Sequence, residues 1–402
     1  MNDSIAILGR QPELGFAELE SLYGSDKIAK ISHKVALIHL EPSQIEFKRL
    51  GGSVKLCHII ATLQTTDWEE LTSALLTTIP EHTKQISPGK LHLGLSVYGL
   101  KVSPNQILAS GLRIKKSISE LIGHSIQLVP NKDSELNTAQ VIHNKLMSNK
   151  GMELIIVGDS NQTLVAQTIA IQDIESYGLR DFGRPYRNPR IGMLPPKLAQ
   201  IIINLATGPD EPPTPKTDKS VKTILDPFCG TGVLLQEAAL MGYAIYGNDI
   251  EPRMVEATKQ NLRWLVDLYK ITQSIDNIFT GDSISYRWKP TVDFVASETY
   301  LGRPFTSLPT AEILSQTVSD CNVIINKFLN NIYPQLKPGT RLCLAVPAWQ
   351  TKAGQFVHLP LIDRLRSMGY NRLSFEHVRN DKLLYYRDDQ IVARELLILV
   401  RS

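Results

Sequence analysis

Two patterns of apolar and polar positions divide the chain. From about residue 221 onward, short apolar runs that end in glycine or an acid alternate with longer stretches whose apolar positions recur every three or four residues. The short runs predict strands at Thr223–Asp226, Ala244–Asp249, Asn277–Thr280, Phe294–Ser297 and Arg341–Val346. Between them the helical period predicts VLLQEAALMGY, Pro252–Tyr269, Ala311–Tyr333 and Leu359–Met368. Strictly alternating elements of this kind imply an α/β fold with a parallel, doubly wound sheet. The end of the chain departs from the alternation: LLYYR, DDQ and IVARELLILV read as two strands joined by a tight turn, an antiparallel pair at the sheet edge.

The first half is mixed. It opens with strand SIAILGR and helix GFAELESLYG, continues with strands KVALIHL and KLHLGLSVYGL, and then predicts helices at Ser103–Ile122 and Thr138–Ser148. Strands SIQLVP, ELIIVGD and TLVAQTIA accompany those helices, so this half is an α+β arrangement without internal repeats. Tyr177 to Ala206 reads as a linker that becomes helical at about Pro196, where proline suits a first helical turn. Gly208 to Ser220, with four prolines and no apolar period, reads as an exposed loop before the second half.

Composition narrows the class only a little. At 43% hydrophobic and 21% charged, with mean hydropathy −0.09, the chain reads as an ordinary soluble globular protein. A charge of +3 permits a nucleic-acid partner without requiring one. The charge is unevenly placed: Lys101 to Lys150 holds seven basic and three acidic residues, a local +4. Cys57, Cys229, Cys321 and Cys343 form no CxxC pair, which fits a reducing cytoplasm, and no metal-binding spacing of His or Cys occurs. No apolar run reaches eighteen residues, so neither a leader nor a membrane span is expected. The absence of HExxH, GxSxG and a P-loop argues against zinc hydrolase, serine hydrolase and P-loop NTPase chemistry.

The chemistry concentrates after the first strand of the second half. Asp226-Pro-Phe-Cys-Gly-Thr-Gly232 sets an acid at a strand end and two glycines where the backbone must approach a ligand closely, just before a helix N-terminus. Leu235 stands where a dinucleotide site would carry its third glycine, which favours an adenosine without a diphosphate. Asp249, twenty-three positions after Asp226 at the end of the next strand, suits the paired hydroxyls of a ribose. Asp282 in TGDS can accept from an exocyclic amine.

DPFCGTG, GNDIEPRMVEATKQNL and GDS together resemble the S-adenosyl-L-methionine site of class I methyltransferases. The resemblance implies that Asp226, Gly230 and Gly232 contact the methionine part, Asp249 the ribose and Asp282 the adenine, with Pro227, Cys229, Ile250 and Ser283 beside them. Enzymes of this group that methylate amino groups of bases carry an Asp/Asn/Ser-Pro-Pro-Tyr/Phe motif after the fourth strand. Here Ser297-Glu298-Thr299-Tyr300 occupies that place, without either proline. In that role Tyr300 stacks on a flipped-out base, Ser297 Oγ and the Glu298 carbonyl accept the amino hydrogens, and the Glu298 carboxylate is a proton acceptor the usual motif lacks.

The segment SVYGL to GMELIIVG is similar to a THUMP domain, an RNA-binding module of tRNA-modifying enzymes, and the opening IAILGRQPELGFAELESLYG to the ferredoxin-like region that precedes it. Over nearly the whole chain, the order of features resembles the tRNA (guanine-10-N2)-methyltransferase family. The resemblance implies a ferredoxin-like region at 1–85, a THUMP domain at 86–178, a linker and first catalytic helix at 179–220 and a Rossmann-like class I methyltransferase domain at 221–402. It further implies tRNA as partner, N2 of a guanosine as target and, by analogy with the eukaryotic branch, a small activating protein. Arg113, Lys115, Lys116 and Lys132, with Arg184, Arg187 and Arg190 in the linker, are the expected phosphate contacts. Two other readings stay open: methylation of another base amine, such as adenine N6, and a silent tRNA-binding protein that keeps the fold.

Overall fold

The computed structural model describes residues 3–402 except 84–88, 124, 188–192, 210–220, 273, 290–291, 306 and 353–354. Most of the expected Gly208–Ser220 loop and Arg190 therefore lie outside the described residues. The chain divides into two compact units.

The first unit comprises 1–12, 25–48 and 53–174. Its strands are β1 (Ser4–Leu8), β2 (Ile28–Ser32), β3 (Val35–Ile38), β4 (Ser53–Leu63), β5 (Leu91–Tyr98), β6 (Ile126–Leu128), β7 (Gly151–Asp159) and β8 (Gln162–Ile171). They form one sheet of order β2-β3-β1-β4-β8-β7-β5-β6, antiparallel except for the parallel pairs β7/β5 and β5/β6. The regions expected as ferredoxin-like and THUMP thus share a continuous sheet, joined by the long β4/β8 ladder. In chain order the helices begin with α1 (Pro12–Tyr23), followed by α2 (Trp68–Thr83), α3 (Pro104–Ile122) and α4 (Thr138–His143). The last is shorter than its sequence pattern predicts. Leu75 and Ile79 of α2 and Ile107, Ile114 and Ile118 of α3 pack on Leu93, Leu95, Leu154 and Ile156, which is why both helices show the 3.6-residue period. A capping box from Ser103 and Gln106 starts α3 and Gly123, at φ 68°, ends it.

The second unit comprises 175–402 together with 13–24 and 49–52, so most of α1 belongs here despite its place in the sequence. Its helices are α5 (Ile174–Phe182), α6 (Pro196–Thr207), α7 (Val233–Leu240), α8 (Pro252–Tyr269) and α9 (Ala311–Ile332). Its strands are β9 (Thr223–Asp226), β10 (Ala244–Asp249), β11 (Ile278–Thr280), β12 (Phe294–Glu298), β13 (Arg341–Lys352), β14 (Gln355–Val357), β15 (Tyr370–Arg372), β16 (Leu384–Tyr385) and β17 (Val392–Arg401). The sheet order is β11-β10-β9-β12-β13-β17-β15, with the first five strands parallel. The alternation predicted that parallel core. The antiparallel ending differs from expectation: β17 lies between β13 and β15, so the apolar IVARELLILV is buried inside the sheet and only the short β16 is peripheral to it. Pro360–Met368 is a 3-10 rather than an α-helix.

Val318, Cys321, Ile325, Phe328 and Ile332 of α9 pack on Leu342, Leu344, Leu397 and Leu399. A polar knot joins α1, Arg49–Gly52 and α6 within the same unit. The fully buried Glu18 accepts from the Gly51 and Gly52 amides at 2.9 and 2.8 Å and from Asn204 Nδ2 at 2.7 Å. Asn204 Oδ1 accepts from Arg49 Nε at 2.7 Å. A Cβ on Gly52 would stand 2.6 Å from Gly15 Cα, so this approach needs glycine. Burial pushes the Glu18 carboxyl up to about 6. Glu18→Ala removes the acceptor of three buried hydrogen bonds and is expected to lower stability by roughly 2–4 kcal/mol in urea unfolding, with Glu18→Gln losing less.

Candidate functional site

Strand order reverses between β9 and β12. From β9 the chain proceeds outward to β10 and β11 and then returns to β12 on the opposite side, so the connections after β9 and β12 diverge. A crevice opens at the carboxyl ends of these strands, the place where open α/β sheets bind ligands. Asp226, Asp249 and Glu298 end β9, β10 and β12 there.

The glycine turn Cys229–Gly232 crosses this crevice before α7. Gly230 and Gly232 have φ of 52° and 79°. A Cβ on Gly232 would stand 2.6 Å from Thr258 Cγ2, whereas one on Gly230 would meet nothing within 4 Å. Gly232 thus lets α8 approach, and Gly230 faces open space. Two α8 side chains, one helical turn apart, hold the turn: Thr258 Oγ1 donates to the Gly230 carbonyl at 2.7 Å and Asn261 Nδ2 to the Thr231 carbonyl at 2.9 Å. Asn261 also binds both backbone groups of Tyr186, at 2.8 and 3.1 Å.

Asp226, Phe228, Cys229, Gly230, Met193, Met254 and Glu298 are among the residues lining a cavity of about 90 Å³ beside this turn. Asp226 is buried and its Oδ1 accepts from Ser297 Oγ at 2.6 Å and from the Phe228 amide at 3.2 Å. Burial pushes its carboxyl up to about 7 against those hydrogen bonds, with Asp249 and Glu298 adding to the rise. Asp249 Oδ2 accepts from the Gly230 amide and its Oδ1 from the Glu251 amide, both at 2.9 Å, and partial burial raises its carboxyl. Ile250 beside it is 62% exposed, an apolar surface at the crevice mouth.

Asp282 Oδ1 accepts from the Ile284 amide at 3.1 Å. Ser283 is buried, donates to the Pro227 carbonyl and accepts from Asn248 Nδ2 at 2.8 Å. Ser283 and Pro227 therefore tie two loops together. Asn248, fully buried, also reaches the Gly281 carbonyl at 3.1 Å and accepts from Trp288 Nε1 at 2.8 Å. Cys229 is buried and its thiol is held well above its usual range by burial, which disfavours the reactive thiolate.

Ser297 and Glu298, the last two residues of β12, and Thr299 and Tyr300 after it are arranged differently from their sequence reading. Ser297 is fully buried and its hydroxyl hydrogen goes to Asp226, so it does not stand open to an incoming amine. Glu298 lines the cavity with its carboxylate paired to Arg394 of β17. Thr299 is buried and points into the sheet, with N and Oγ1 both donating to the Ala345 carbonyl at 3.0 and 3.2 Å. Tyr300 is 45% exposed, as a stacking residue requires.

The basic residues divide similarly. Lys116 and Lys132 are exposed and Lys115 is half-buried. Arg113 is paired with Glu69 at 2.8 Å. Arg187 is exposed, its guanidinium 4.8 Å from the centre of the Phe182 ring. Arg184 is a correction: its side chain is fully buried, with NH1 donating to the Arg180 carbonyl at 3.4 Å, because the linker folds onto α7 through the buried Arg180–Glu237 pair. It cannot reach a phosphate there. Sequence reasoning missed Met193, Met254, Thr258, Asn261, Asn248 and Arg394. The one signal available was the i, i+3 spacing of Thr258 and Asn261 on one face of α8.

The family described as methyltransferase domain matches residues 218–367. A tRNA (guanine(10)-N2)-dimethyltransferase of Methanothermobacter thermautotrophicus is 33% identical over 166 residues, 41% of this chain and 42% of that protein. Another of that name, from Pyrococcus abyssi, is 29% identical over 168 residues, 41% of each chain. The chain spans about two fifths of the length of these curated relatives. The crystal structure of TrmN from Thermus thermophilus matches 100% of this chain and 99% of its own at a TM-score of 0.55 and 15% identity, a likeness of fold. The resemblance read from DPFCGTG, GNDIEP and GDS thus meets relatives named for methylation at guanine-10 N2, and residues 218–367 match a methyltransferase domain.

Proposed function

We propose that the chain transfers a methyl group from S-adenosylmethionine to the exocyclic N2 of a guanosine in tRNA, at position 10. The observation that carries this reading is the crevice, where Asp226, Asp249 and Glu298 end three parallel strands around a glycine turn whose Gly230 faces open space. The tRNA substrate rests on the names of the relatives, and the basic surface of the first unit supports it.

The cavity beside Asp226 fits the methionine end of the cofactor, and Asp249 with the exposed Ile250 fits its nucleoside end. When bound, S-adenosylmethionine supplies a methyl group already activated on its sulfonium. The protein has to place a weakly nucleophilic amine in line with that methyl and exclude water. Tyr300 offers the aromatic face for the flipped base, and Glu298 offers a carboxylate oxygen to its amino hydrogens at the cavity wall. Asp226 is a countercharge for the cationic end of the cofactor once ionised. Lys115, Lys116 and Lys132 suit RNA phosphates.

The direct test is incubation with labelled S-adenosylmethionine and unmodified tRNA transcripts, followed by nucleoside mass analysis. N2-methylguanosine or its dimethyl form at position 10 is expected. A methylated adenine would move the target, and no product despite binding of both ligands would favour a silent tRNA-binding protein. Asp249→Ala is expected to weaken cofactor binding at least 100-fold by calorimetry. Asp226 must lose its proton to face a cation, so cofactor affinity should rise as pH climbs through about 7, with net proton release below that pH. Asp226→Asn should remove this dependence. Lys115→Ala with Lys116→Ala should weaken tRNA binding and flatten its dependence on salt, and an unchanged salt slope would exclude both lysines from the contact.

A further inference from the structure

The Ser297–Tyr300 segment, the end of β12 and the two residues after it, lacks the two prolines of the motif it resembles, yet three side-chain bonds hold it. Ser297 Oγ donates to Asp226 at 2.6 Å on one side. Thr299 turns inward, its amide and hydroxyl converging on the Ala345 carbonyl at 3.0 and 3.2 Å, and a proline at 299 would lack that amide. Glu298, between them, has its carboxylate bound by the Arg394 guanidinium.

The third bond spans the sheet. Glu298 ends β12 opposite Ala345 of β13, and Arg394 lies on β17 opposite Pro347 of β13. The Arg394 side chain therefore reaches over β13, just beyond the point where β12 stops pairing with it. Arg394 is 5% exposed and its side chain 6%, against 21% for that of Glu298. A guanidinium so enclosed presents a fixed fork, so it restricts the carboxylate more than a mobile surface pair would. Its neighbour Glu395, 2% exposed, is in turn bound by Arg372 at 3.0 Å and by His358 at 2.6 Å. The β17 segment that carries Arg394 is thus anchored through its next residue.

We propose that Arg394 is a positioning residue for the methyl-transfer site: it clamps Glu298 so that the Ser297–Tyr300 segment keeps one conformation at the cavity wall, supplying the rigidity that two prolines would otherwise provide. This rests on the methyltransferase reading of the same site. Because Arg394 acts through Glu298, its removal should loosen the segment and slow turnover while leaving the cofactor cradle of Gly230, Asp249 and Ile250 intact.

The test uses the full chain and three variants: Arg394→Met, Arg394→Lys and the double variant Arg394→Met with Glu298→Met. The double variant removes both charges, so it folds even if one unpaired carboxylate does not. Arg394→Met should lower kcat for tRNA methylation at least tenfold, with KM for tRNA and the cofactor Kd each within threefold of wild type. Arg394→Lys, which keeps the charge, should recover at least a third of the lost rate. Hydrogen exchange read by mass spectrometry should show the peptide spanning 294–303 exchanging at least fivefold faster in Arg394→Met and in the double variant, and near wild type in Arg394→Lys. The proposal is overturned if exchange of that peptide is unchanged in both Met variants. It is equally overturned if kcat of the folded Arg394→Met protein stays within twofold of wild type, or if cofactor affinity falls in step with kcat. A wild-type protein that methylates no transcript defeats the methyltransferase reading alone, and the exchange experiment still decides whether Arg394 holds the segment.

Discussion

The site depends on one topological constraint, the reversal of strand order between β9 and β12. Neighbouring parallel strands whose connections leave in opposite directions cannot cover their shared carboxyl end, so a crevice must open there. Every candidate group follows from it. Asp226 and Glu298 border the crevice because they end the two strands that flank the reversal, and Asp249 joins them because β10 lies next to β9. Burial is the main reason the Asp226 carboxyl is pushed up, and the Asp249 and Glu298 carboxylates add to the rise.

A crevice alone would be shapeless, and α8 gives it form. Thr258 and Asn261 hold the carbonyls of the glycine turn, so the amide edge of Gly230 is turned toward Asp249 and its open face toward the cavity. Asn248 does the same for the loop after β11, through Gly281, Ser283 and Trp288. These amides are buried and fully engaged, the condition under which a polar side chain in a core specifies one geometry instead of merely costing desolvation energy. On the opposite side of the crevice, the end of β12 and Thr299 after it have their hydroxyls and carboxylate committed to Asp226, Ala345 and Arg394. Tyr300, 45% exposed, faces outward there.

The first unit has a different logic. Its single sheet binds two stretches that read as separate modules in the sequence, because β4 is long enough to pair β1 along one edge and β8 along the other. Conversely, α1 is contiguous with β1 in the chain but belongs with the second unit, where Glu18 is satisfied by Gly51, Gly52 and Asn204. Sequence proximity could not reveal this. One of the three donors to this buried carboxylate, Asn204, lies 186 positions away.

Periodicity and glycine placement were enough to determine the parallel strands, most helices and the acid–glycine constellation, because each depends on neighbours within a few residues. The acids at Asp226, Asp249 and Asp282 and the glycines at 230 and 232 were legible for that reason. What a side chain faces is not local, and only the tertiary structure decided it. It turned Arg184 inward beneath the linker, gave the Ser297 hydroxyl to Asp226, directed Thr299 into the sheet and bound Glu298 to an arginine 96 positions later. It also placed β17 within the sheet rather than at its edge, since strand order follows from which faces can be buried together and not from the order of the chain.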